Sequence, residues 1–64
     1  MNIELATHAE MTARDTRHAL AELMLPLKEA GANEELRLAI ASAVWEIGLI
    51  IDKLYELYPE LKRD

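Results

Sequence analysis

The chain contains no cysteine and no phenylalanine, and only two glycines, two prolines and one tryptophan among its 64 residues. Each scarcity removes a class of chemistry. Without cysteine there is no disulfide, no thiolate nucleophile and no Cys-ligated metal site. Two histidines make a structural zinc site built on imidazoles improbable. The glycines form no phosphate-cradling loop, and no Ser/His/Asp arrangement or lysine in an apolar setting points to nucleophilic or phosphoryl chemistry. No catalytic residue, cofactor or metal is therefore expected. Cations are scarce too: seven Lys and Arg stand against twelve Asp and Glu, a formal charge of −5. Nucleic-acid backbones and anionic membranes are bound through Lys and Arg, and Arg14, Arg17, Lys28, Arg37, Lys53, Lys62 and Arg63 form no patch in the sequence. Nucleic acid is thus a disfavoured partner, and a membrane surface is not expected to be one.

The opening residues MNIELATHAE lack the basic segment and apolar segment of a secretory signal. The apolar run over residues 38–51 is short for a membrane span, contains Glu46, and is closed by Arg37, Asp52 and Lys53. A cytoplasmic location is the expectation.

Apolar side chains are abundant, at 52% of the chain. They concentrate over residues 36–57, LRLAIASAVWEIGLIIDKLYEL, which hold the only Trp and all but one of the isoleucines. A chain this short buries a low fraction of its surface, and with disulfides absent and a metal improbable, self-association is the remaining way to stabilise it.

Local signals read as two helices. Asn2 is a candidate N-cap, with Thr7-His8-Ala9-Glu10 as a competing capping box a turn later. Residues rich in Ala, Leu, Met, Glu and Arg follow. Pro26 removes a backbone donor and crowds the carbonyl of Glu22, which predicts a kink or an early end. Gly31 supplies a left-handed C-cap and Asn33 the next N-cap, while Pro59 disfavours a helical Tyr58. The fold class expected is all-α: one domain over residues 1–64, an antiparallel two-helix hairpin (about 3–30 and 34–58) that dimerises into a four-helix bundle.

Two apolar stripes alternate steps of three and four. One runs through Ala6, Ala9, Ala13, Thr16, Leu20, Leu23, Leu27 and Ala30. The other runs through Leu36, Ile40, Ala43, Ile47, Ile50, Leu54, Leu57 and Leu61. Folding back around Ala32 sets facing residues whose numbers total 63, with large side chains opposite small ones, as at Leu54 and Ala9. On this reading the two stripes close the hairpin. The second helix then carries surplus apolar residues at Leu38, Ala41, Trp45, Gly48 and Leu49, flanked by Tyr55, and these are assigned to the dimer interface. Gly48 in mid-helix costs roughly 1 kcal/mol relative to Ala, which a close approach by a partner chain would explain.

The remaining polar clusters are weighed against plain solvated faces. Asp15, His18 and Glu22 share a helix face as three potential metal ligands, yet lie opposite Leu20 and Leu23, and read better as surface charge pairs alongside Glu10–Arg14. Glu4 and His8 are a weaker version of the same pattern. Glu46, inside the apolar run, reads as a rim carboxylate reaching solvent or Arg17, with a specificity or docking residue at an interface as the alternative. Asp52, Glu56 and Glu60, continued by Asp64, make an acidic stripe that suits docking on a basic partner, although Lys53, Lys62 and Arg63 dilute it. Met11, Met24 and Leu25 are scattered outer apolar residues.

The function expected is that of a small acidic dimeric module for protein–protein interaction, regulatory or adaptor in kind and not an enzyme. The alternatives are a nucleic-acid-binding dimeric bundle, similar in shape alone to small RNA modulators, and a metal-binding bundle.

Overall fold

The computed structural model describes residues 1–62. Arg63 and Asp64, which the sequence reading counted among the cations and the acidic stripe, lie outside the described residues. Helix α1 spans Ile3–Glu22, α2 Met24–Glu29 and α3 Glu34–Leu57, and a 3-10 turn covers Pro59–Leu61. The molecule is all-helical, an antiparallel hairpin measuring 43 × 21 × 15 Å.

Each boundary has a local cause. Asn2 caps α1, its Oδ1 accepting from the Leu5 amide at 2.8 Å. Thr7, the competing cap, lies within the helix and donates its hydroxyl back to the Ile3 carbonyl. Pro26 has no amide hydrogen for the Glu22 carbonyl, and α1 stops at Glu22. Leu23 keeps helical dihedrals (φ −76, ψ −18), so α2 continues after a broken turn. The hairpin bend is a Schellman motif: Ala32 donates to the Leu27 carbonyl at 2.9 Å and Gly31 to that of Lys28 at 3.1 Å. Gly31 takes φ +79 there, a conformation that costs a Cβ-bearing residue. Asn33 then caps α3 through the Leu36 amide at 2.8 Å.

The helices pack along a line rotated from the expected stripes. Glu10, Arg17, Met24, Arg37, Val44, Ile51 and Tyr58 are buried or partly buried. Of the stripes expected to close the hairpin, Ala6, Leu54 and Leu61 are buried and Ala9, Ala13, Leu20, Leu27, Ile40, Ala43 and Ile47 partly buried, whereas Thr16, Leu23, Ala30, Leu36, Ile50 and Leu57 are exposed. The reason is geometric: two helices share one contact line, narrower than the apolar arc that each carries. Three pairs track that line: Tyr55 reaches Glu10, Arg17 lies over Gly48, and Ala21 lines one hollow with Val44. The numbers in each pair total 65. On the neighbouring flank Thr16 with Ile47 and Ala13 with Ile50 share a groove, at a total of 63.

Few side chains are fully removed from water. The buried apolar residues are Ala6, Ile51, Leu54 and Leu61. The 3-10 turn returns Leu61 onto Ala6 and Leu54, with Ala9, Tyr55 and Tyr58 around them, and the Tyr58 hydroxyl donates to the Met1 carbonyl.

Candidate interaction surface

Between the helices sits a polar network. Glu10, only 4% exposed, accepts from the Tyr55 hydroxyl at 2.7 Å and from Arg14 Nε at 3.0 Å. A buried carboxylate is costly without charged or hydrogen-bonding partners, and here it has both. The hydrogen bond to Glu10 raises the Tyr55 pKa above its ordinary 10.0, with burial adding to the shift. Arg17 lays its guanidinium across α3, with Nη1 3.7 Å from where a Cβ on Gly48 would stand. The sequence reading found the Glu10–Arg14 pair from its spacing. It missed Tyr55 as the third member, because the link joins residues 45 apart. Arg17 does not reach for Glu46, which is exposed and has no ion pair among the described residues.

One flank of the hairpin is an open apolar face two helices wide. His8, Ala9, Thr12, Ala13, Thr16, Ile47 and Ile50 line a groove along it. Glu46, Leu49, Ile50, Lys53, Leu54 and Leu57 line its continuation. Ile50 is 53% exposed, Leu57 68% and Leu23 46%. The Thr16 hydroxyl donates to the Thr12 carbonyl at 2.7 Å, so its donor is satisfied without water. This face carries the outer members of the three-and-four stripes, Ala9, Ala13 and Thr16 on α1 with Ile47, Ile50 and Leu57 on α3, at the spacing by which helices mesh in a bundle.

The opposite flank is bordered by charge. Leu38, Ala41 and Trp45 are exposed there, Trp45 at 58%, and Arg14, Asp15, Arg17 and His18 line the adjoining hollow with Ala21 and Val44. Of the six residues assigned to the dimer interface, Leu38, Ala41 and Trp45 therefore share this flank. Leu49 lines the open face with Ile50 and Leu57. Gly48 and Tyr55 turn toward α1 of their own chain. Within the hairpin the nearest atom to a Cβ at Gly48 is Arg17 Nη1 at 3.7 Å, an ordinary contact that does not itself require glycine.

Asp15, His18 and Glu22 do not converge on a point. His18 Nε2 meets Glu22 Oε1 at 2.7 Å with both side chains mostly exposed. No group of three potential ligands is placed to hold a metal ion among the described residues. Asp52, Glu56 and Glu60 are all exposed. Asp52 and Glu56 line one shallow hollow with Tyr55, Pro59 and Lys62, and Lys53 Nζ lies 3.5 Å from Glu56. Glu60 stands apart on the 3-10 turn. Among the described residues no helix is long and apolar enough to cross a membrane.

Comparison with protein families, curated proteins and solved structures finds no match to the chain.

Proposed function

We propose that this chain is a small, acidic, non-catalytic interaction module of the cytoplasm, in which two hairpins associate into a four-helix bundle and present their outer faces to another protein. The observation that carries this reading is the open apolar face, where Leu23, Ile50 and Leu57 of the meshing stripes stand half in water. Surface area supports it. A compact monomer of 7.3 kDa exposes about 4,200 Å², whereas this hairpin exposes 4982 Å². The excess, about 800 Å², is close to what each partner contributes to a stable interface of ordinary size. We assign the interface to this face because its groove is lined by apolar and small residues of both helices, whereas the hollow beside Val44 is lined by Arg14, Asp15, Arg17 and His18.

The nucleic-acid reading is weaker, because two cations it would use serve the hairpin: Arg14 holds Glu10, and Arg17 covers Gly48. The acidic shelf of Asp52 and Glu56, with Glu60 beyond it, stays clear of the open face and suits a basic protein surface.

Ile50→Glu tests self-association by placing a carboxylate in the middle of the open face, where a covering chain would leave it buried and unpaired. The variant is expected to lose the dimer and, with it, thermal stability. Unchanged mass and melting would refute the reading. Partner binding is tested by affinity purification from the native cell, comparing the natural chain with an Asp52→Lys, Glu56→Lys variant. Loss of a partner from the dimeric variant supports the acidic shelf, and an identical set of partners rejects it.

A further inference from the structure

We propose that the occupant of the open face is a second copy of this chain, docked about a two-fold axis perpendicular to the helices that crosses α3 at Ile50 and α1 between Thr12 and Thr16. The inference rests on the self-association proposed above and adds its register, which the two helices specify independently.

On α3, a two-fold through Ile50 sets each residue against the one equally far on the other side in the partner. Ile50 then meets its own copy, and Ala43 meets Leu57, seven residues to either side. That places the most exposed leucine of the face, at 68%, against a small side chain, the size alternation a dry interface needs. Glu46 and Lys53 flank Ile50 on the rim of the same hollow, four residues before it and three after. The operation brings each Glu46 to within one residue of the height of the partner's Lys53, twice per dimer, where that ammonium can turn from its own exposed Glu56. The opposite sense, with α3 parallel to its copy, would set Glu46 against Glu46 and Lys53 against Lys53.

On α1, the open flank carries its own centre at position 14. Thr12 and Thr16 lie two residues to either side and Leu5 and Leu23 nine, so a two-fold there stacks leucine on leucine and threonine on threonine. The threonines also admit a close helix approach. The two centres were found separately, yet a rigid dimer requires them at one height. They are: Ile50 shares its groove with Thr12, Ala13 and Thr16, which lie one or two residues from position 14, and a residue is about 1.5 Å of rise.

Because the chain has no cysteine, single introduced thiols report the register directly. Chains carrying Ala43→Cys and Leu57→Cys are mixed under mild oxidation, and dimer mass is followed in parallel by sedimentation. Cross-linking between the two different variants, at least tenfold faster than within either alone, is the expected result. Dimers that form but cross-link equally within each variant, or not at all, would overturn the register while leaving self-association standing. Monomers throughout would overturn both. The rim pairs are tested by Glu46→Lys and Lys53→Glu. Each alone is expected to weaken the dimer several-fold, and the two together in one chain to restore it. Failure of the double variant to recover would contradict the antiparallel sense.

Discussion

Replacing Gly48 with Ala separates two accounts of the same residue. Glycine inside a helix costs roughly 0.5–1 kcal/mol relative to alanine, through backbone entropy alone. Something must offset that cost if glycine is required. In this hairpin the nearest non-local atom to an added Cβ is Arg17 Nη1 at 3.7 Å. That is an ordinary van der Waals separation, and the atom is the far end of a flexible side chain. No clash cancels the gain, so Gly48→Ala should stabilise the protein by about 0.5–1 kcal/mol. For a domain of this size such a gain raises the melting temperature by about 2–8 °C. The assay is thermal or urea unfolding followed by circular dichroism, at one fixed chain concentration because association shifts apparent stability. A fall in stability would mean that a backbone or ring from another chain sits against Gly48. That outcome would move the dimer interface to the Trp45 flank.

Further perturbations test the interior. Tyr55→Phe removes the phenol from Glu10 and should cost about 1–3 kcal/mol, since a buried carboxylate oxygen loses one of its two donors and keeps only Arg14; an unchanged urea midpoint would show the bond to be energetically idle. The same tyrosine makes the fold alkali-sensitive. Its folded pKa is raised above 10.0, so its contribution is complete below that pH and is lost as pH climbs through the folded value. Alkaline titration of stability should accordingly be steeper in the natural chain than in Tyr55→Phe. Asn33→Ala deletes the cap of α3 and should destabilise by about 1 kcal/mol, with Asn33→Ser retaining most of the stability. Leu61→Ala empties the site over Ala6 and Leu54 and should cost about 2–5 kcal/mol, toward the lower end because the site lies at the end of the hairpin; a neutral effect would mean that the 3-10 turn does not hold the helix ends together.

The helices, their caps and the bend were legible because each depends on residues within one turn of chain. Asn2, Pro26, Gly31 and Asn33 act on their immediate neighbours, and Pro26 ended α1 at the residue whose carbonyl it deprives. Which face of each helix turns inward was not legible. A three-and-four stripe has the same spacing whether it meets the other helix of its hairpin or another chain. Ile50 and Leu57 read as seam residues and stand open, while Glu10 and Arg17 read as surface residues and lie between the helices. Polarity misled there, because a carboxylate can be buried once Tyr55 and Arg14 both reach it, and Tyr55 comes from the far helix. The register moved as well: Glu10 with Tyr55 and Arg17 with Gly48 total 65, and the expected 63 holds on the open flank, at Ala13 with Ile50.

Sedimentation equilibrium of the natural chain across low micromolar concentrations tests the central claim most directly. Covering of the open face by a second copy predicts a species of twice 7.3 kDa, dissociating on dilution with concurrent loss of helicity. A stable, fully helical 7.3 kDa monomer throughout that range would contradict it.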